Sequence, residues 1–182
     1  MTRIPILLPE NMTDDQRQVH DTIVSGPRGA VRGPLAVWLN RPELASAAQA
    51  LGRYCRFETS LVPRLSELAI LTTARVWSSE FEWSAHKPIA LEAGLLPDII
   101  EAIRTHQNPI FENEDEAVVH AFSKTLHTDR HINDELYSRA VDVLGEAAVV
   151  DLTGILGYYT LISMTINVFE VHKPNGASAE LS

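Results

Sequence analysis

The stretch Glu67-Leu-Ala-Ile-Leu-Thr-Thr-Ala-Arg-Val-Trp-Ser-Ser-Glu-Phe-Glu-Trp-Ser-Ala-His86 decides how this chain reads. Its apolar residues recur at helical spacing on both sides of a break at Ser78-Ser79. A helix is expected from about Pro63 to Trp77, with Leu65, Leu68, Ala69 and Thr72 on one side. A second should begin near Ser78 or Ser79 and stop at Gly94, a residue suited to the position after a helix. Glu82 and His86 stand four apart on that second helix, so their side chains share a face. His86 is in register with Ile89, Ala90 and Ala93, and Ser79 and Trp83 lie one turn earlier on the same side. A carboxylate one turn from a histidine orients the ring and favours its charged form, while burial opposes that charge. Such a histidine can give or take a proton. The same spacing also suits a core histidine held by one hydrogen bond, or a solvated helix face.

Outside this stretch, helix signals are frequent and strand signals scarce. Thr13-Asp-Asp-Gln16 forms a capping box, which predicts a helix from about Asp14 to Val24. Ser25-Gly-Pro-Arg-Gly29 reads as loop, and Pro34 and Pro42 each sit where a helix can start without losing a backbone bond. The second of these should run on from Glu43 to about Phe57. Pro97 opens a short helix to about Arg104. Asn113 should cap a helix from Glu114 to about Leu126, and Asn133 another to about Leu144. A long apolar helix follows Gly145 and extends to about Phe169. The tail from Pro174 to Ser182 has little to bury and is expected to be mobile. The expectation is a single all-α domain over residues 1–182 with eight to nine helices.

Composition narrows the function classes. A chain of 182 residues with 45% hydrophobic and 21% charged residues has the make-up of a globular protein. A net charge of −9 argues against a nucleic-acid partner, because phosphate binding relies on Lys and Arg displacing counterions. The lone Cys55 cannot form an internal disulfide, and Pro5 and Pro9 interrupt the short apolar run near Met1. Both features suggest a cytoplasmic setting. Leu152 to Phe169 carries no charge, which approaches the length needed to cross a bilayer. Its Thr153, Thr160, Ser163, Thr165 and Asn167 favour a helix buried in protein instead, so no membrane partner is expected. His127 and His131 are four apart but straddle a predicted loop, so they read as surface histidines and no metal is expected. No glycine-rich phosphate loop follows a strand.

Three blocks carry a family resemblance: Arg64-Leu-Ser-Glu67-Leu-Ala-Ile-Leu71, Glu80-Phe-Glu-Trp-Ser-Ala-His86, and Ala90-Leu-Glu-Ala-Gly-Leu95. Together they resemble the signature of the carboxymuconolactone decarboxylase and alkylhydroperoxidase D superfamily, in its long single-domain branch. The resemblance extends to Gly33–Arg56, to Asp115-Glu116 onward, and to Gly157-Tyr158-Tyr159 through Asn167. It implies an all-α fold, self-association as a dimer, trimer or hexamer, and an active site beside the signature helices.

The same resemblance bears on chemistry. The peroxidase branch pairs a glutamate with C-x-x-C and a later histidine; aligned on His86, those positions hold Glu67, Ser79, Glu82 and His86. Both cysteines are missing, and neither Ser nor Glu replaces a thiolate nucleophile and its resolving thiol. A peroxiredoxin-type antioxidant activity is therefore disfavoured. The decarboxylase branch keeps a glutamate four residues before its histidine, as Glu82 and His86 do here. That implies a cofactor-independent lyase of aromatic-compound catabolism, acting on a small lactone or cyclic carboxylate. In that reading His86 donates the proton, Glu82 orients it, and Glu67 is a second candidate acid. Ser66 departs from the arginine of the decarboxylases, which leaves Arg64 and Arg75 as the cations for a substrate carboxylate. Ser79, Trp83 and Tyr158 are the other candidate substrate contacts. A non-catalytic relative that keeps the fold for a binding role is the remaining alternative.

Overall fold

Proline opens four of the nine α-helices among the described residues, because a first-turn residue has no intrahelical N–H bond to lose and the ring pre-sets a helical φ. A computed structural model describes residues 2–173 and 178–181, and contains no strand among them. After a short 3₁₀ turn at Pro9–Asn11 come α1 (Asp14–Ser25), α2 (Pro34–Trp38), α3 (Pro42–Phe57), α4 (Pro63–Val76) and α5 (Glu80–Glu92). Then follow α6 (Pro97–Arg104), α7 (Glu114–Asp129), α8 (Asp134–Leu144) and α9 (Glu146–Phe169). The prolines at the starts of α2, α3, α4 and α6 all occupy that permitted position.

Helix α4 is the centre of the molecule. Every residue from Leu65 to Ala74 is buried, because α5, α7 and α9 surround it and α6 covers one end. Burying a leucine or isoleucine side chain contributes about 1.5–3 kcal/mol, and the unexposed Leu68, Leu71, Leu152 and Ile155 tie α4 to α9 in this way. Helix α9 is long and apolar enough to cross a membrane by length and composition, with 61% of its most apolar window buried inside the protein. One of its polar residues ties it to another element: Trp38 Nε1–H donates to Thr165 Oγ1 at 2.9 Å, joining α2 to α9.

Caps follow the sequence at two helices and depart from it at a third. Thr13 Oγ1 accepts from the Gln16 backbone while Gln16 returns the bond to Thr13 N, completing the capping box. Asn133 Oδ1 accepts from Leu136 N at 2.9 Å. The expected Asn113 cap does not form. Asp115 Oδ1 takes the Glu116 N–H at 2.7 Å, and the Asn113 amide donates to the Glu116 carboxylate instead. Helix α7 also runs on to Asp129, where Arg130 adopts a left-handed conformation, so His127 lies on a helix rather than in a loop. It is half-buried, with Nε2 3.0 Å from Thr73 Oγ1.

The expected mobile tail needs a correction. Residues 174–177 and 182 lie outside the described residues, but Ser178–Leu181 is docked. Leu181 is 4% exposed, and Glu80 at the start of α5 accepts the Glu180 and Leu181 N–H groups at 3.0 and 2.7 Å. Glu180 in turn accepts from Trp83 Nε1 and from Lys87. A tail with little to bury still makes this contact through one leucine and a set of α5 partners.

Candidate active site

Ser78, with φ of +46°, turns the chain between α4 and α5 so that the two helices pack side by side. That packing brings Glu67 on α4 against His86 on α5. His86 Nδ1 lies 2.7 Å from Glu67 Oε2, and Nε2 lies 3.2 Å from Glu82 Oε2. All three are buried, at 5%, 3% and 5% exposure for Glu67, His86 and Glu82. A ring that faces a carboxylate at each nitrogen satisfies both only as the imidazolium, donating twice. Burial pushes the His86 pKa down, but the two hydrogen bonds and the charges of Glu67 and Glu82 outweigh it and raise the pKa to about 9. The Tyr159 ring braces the imidazole edge-on, with centroids 5.1 Å apart at 89°.

Glu82 and His86 form one wall of a cavity of about 380 Å³. Phe81 and Ala85 extend that wall along α5; Tyr158, Tyr159 and Ile162 come from α9. The lining is also basic. Arg28 and Arg32 project from the loop before α2, and Arg56 comes from the last turn of α3. Two glycines shape this lining. Gly33 has φ of +58°, and a Cβ there would come within 2.6 Å of the Phe81 ring. A Cβ on Gly52 would come within 2.0 Å of the Tyr158 hydroxyl, which the Arg28 guanidinium approaches at 3.4 Å.

The structure brings together some of the residues singled out from sequence and separates others. Glu82, His86 and Tyr158 line the cavity, and Glu67 stands behind His86. Arg64 does not: it pairs with Asp115 Oδ2 at 2.8 Å and with the buried Glu116 of α7. Arg75 donates to Ser78 Oγ and to the Leu181 carbonyl at the docked tail. The cationic role expected of this pair falls to Arg28, Arg32 and Arg56. Ser79 and Trp83 are both wholly buried beside the site and do not line the cavity; Trp83 Nε1 is spent on Glu180. Cys55 is buried on α3, and burial, reinforced by the charge of Asp151, raises its thiol pKa to about 11. It therefore stays protonated at neutral pH.

Comparisons with known proteins agree with this fold. The sequence profile of the carboxymuconolactone decarboxylase family matches residues 42–123, which spans α3 to α7 and includes Glu67, Glu82 and His86. A peroxidase-related protein from Ralstonia eutropha JMP134, described as an alkylhydroperoxidase AhpD core, superposes with a TM-score of 0.76 at 15% identity, covering 96% of this chain and 93% of that one. A peroxidase-related protein from Silicibacter sp. TM1040 gives 0.76 at 12% identity, covering 100% and 96%. A variant of the debrominase Bmp8 in complex with 2,3,4-tribromopyrrole gives 0.75 at 15% identity, covering 96% and 93%. At these identities the likeness is one of fold. No curated protein matches the sequence.

Proposed function

Since the profile of the carboxymuconolactone decarboxylase family matches residues 42–123 and the fold is alkylhydroperoxidase D-like, we propose that the chain is a cofactor-independent lyase releasing carbon dioxide from a small lactone or cyclic carboxylate. One observation carries this reading. A doubly paired His86, held as an imidazolium between Glu67 and Glu82, lines a cavity that also holds three arginines.

Decarboxylation breaks the bond between a ring carbon and its carboxylate. The electron pair passes through the ring alkene to the lactone carbonyl oxygen, carbon dioxide leaves, and the carbon then takes one proton. The His86–Glu82 pair supplies that proton, and solvent returns it to the site. Glu67 binds the far nitrogen, orienting the ring and supporting its charge. Glu82, rather than Glu67, is the carboxyl group at the cavity, so it also lies on the route between His86 and the substrate. Arg28, Arg32 and Arg56 offset the negative charge of the two glutamates and hold the substrate carboxylate. The apolar side, with Phe81, Ile162 and the two tyrosines, packs a planar ring and limits water.

Thiol-dependent peroxide reduction gains no support, since Ser79 and Glu82 occupy the motif positions and Cys55 is buried and protonated. The test is a screen of cyclic and lactone carboxylates for carbon dioxide release, with His86→Gln alongside. Release by the native protein and its loss in the folded variant are expected. Release at equal rates from both would remove His86 from the chemistry.

A further inference from the structure

Tyr159 lines the cavity from α9 and is 2% exposed. Three other buried aromatic side chains spend their polar tips on protein partners. The Tyr158 hydroxyl meets Arg28, Trp38 Nε1 meets Thr165, and Trp83 Nε1 meets Glu180. The Tyr159 hydroxyl makes no hydrogen bond to the described residues and is not one of their sealed, unpartnered polar atoms, so it reaches the open cavity that the residue borders. A hydroxyl that reaches the cavity can bond to whatever enters it. Its ring is fixed on two sides: edge-on to His86 at 5.1 Å, and edge-on to Tyr158 at 5.4 Å. The hydroxyl is therefore a pre-positioned donor beside the acid–base pair.

We propose that Tyr159 is a catalytic residue of this site, its hydroxyl donating a hydrogen bond to the carbonyl oxygen that gains negative charge as carbon dioxide departs. This inference rests on the lyase reading above. The bond between ring carbon and carboxylate breaks, its electron pair moves to the carbonyl oxygen, and the Tyr159 O–H bond stays intact while it donates. The proton that completes the reaction goes to carbon from the His86–Glu82 pair, so each group has a separate task. Burial, with the charge of Glu82, holds the Tyr159 phenol well above its ordinary pKa, which keeps it a neutral donor. Arg56, which also lines the cavity, adds a positive charge within reach of Tyr159. A fixed donor of this kind acts on the charge that develops in the transition state, not on the neutral ground state.

Tyr159→Phe removes only the hydroxyl, so the fold should be retained with no loss of thermal stability. Two readouts are taken on the native protein, His86→Gln and Tyr159→Phe. The first is carbon dioxide release from the cyclic carboxylates of the screen. The second is binding of tetronate, a five-membered lactone enolate, against a saturated γ-lactone carboxylate. The expected result is a kcat lowered about a hundredfold in Tyr159→Phe, as for loss of one oxyanion donor, with KM held within about threefold. Tetronate should bind Tyr159→Phe about tenfold more weakly, with the saturated lactone unaffected. Unchanged kcat in Tyr159→Phe, with His86→Gln inactive, overturns the role of Tyr159 and leaves the lyase reading standing. If the native protein releases no carbon dioxide from any substrate, the lyase reading fails and the tetronate comparison decides. Equal affinity of both proteins, or no binding by either, then overturns the proposal.

Discussion

Glu67 and His86 meet at 2.7 Å across the α4–α5 contact, carboxylate oxygen to ring Nδ1, though they stand nineteen positions apart in the chain. The His86 pKa is raised from 6.5 to about 9, so the charged ring stabilises the folded state. The sign follows directly. Below about pH 6.5 the imidazolium contribution is present in full, and it is lost as pH rises through about 9. Urea midpoints of the native protein should therefore fall between pH 6.5 and 9.5 by more than those of His86→Gln. Parallel profiles for the two proteins would show that the pair contributes no charge-dependent stability.

The arginines of α4 and those of the cavity should separate cleanly on mutation. Arg64→Ala leaves the Glu116 carboxylate, with a side chain 2% exposed, without its cation. Loss of one partner of such a pair should cost about 2–3 kcal/mol, measured by denaturation, without raising KM in any surviving activity. Arg56→Ala should do the reverse, with KM raised at least about tenfold and a stability change under about 1 kcal/mol. A KM effect at Arg64 and none at Arg56 would place the substrate elsewhere.

Cavity shape depends on two missing side chains. At Gly52 a new Cβ meets the Tyr158 hydroxyl, and at Gly33 it meets the Phe81 ring in a left-handed backbone conformation. Gly33→Ala is expected to destabilise by about 1–3 kcal/mol, combining backbone strain with a ring clash. Gly52→Ala should displace Tyr158 from Arg28 and weaken ligand binding more than it weakens the fold. Equal ligand affinity in native and Gly52→Ala proteins would show that the Arg28–Tyr158 contact is not part of the binding surface.

The docked tail should be measurable in the same way. Leu181 is buried against the end of the bundle, and Leu181→Ala should cost about 2 kcal/mol. Glu80→Gln weakens the acceptor of two backbone N–H groups and of Lys173, so it should lower stability in the same direction. No change in denaturation midpoint for either variant would mean the tail does not add to the fold.

Much of this was legible in local signals, and the limits are equally physical. Proline at the start of α2, α3, α4 and α6, and the Thr13 capping box, act within one helical turn, so sequence marks those boundaries directly. The Glu82–His86 spacing is equally local, and the pair shares a face as the period requires. Asn113 had the right residue type for a cap but lost the N–H it would have capped to Asp115, a competition that residue preferences do not encode. The cavity arginines were harder still. Arg28 and Arg32 lie in a loop and Arg56 at the end of α3, and only the packing of α2, α3 and α9 brings them together. Arg64, adjacent in sequence to the signature, pointed instead toward α7 because Asp115 and Glu116 wait there. Gly33-Pro34 was the available hint, since a glycine before a helix-opening proline marks a tight turn near the site.

The protonation state of His86 is the most direct test, read from its ring nitrogen-15 shifts across pH 6 to 10. A doubly protonated ring at pH 7 that loses its proton near pH 9 is expected, with the midpoint lowered in Glu67→Gln and the pH–rate profile falling along the same limb. A neutral His86 ring at pH 7, or a midpoint untouched by Glu67→Gln, would contradict the assignment of Glu67, His86 and Glu82 as one acid–base unit.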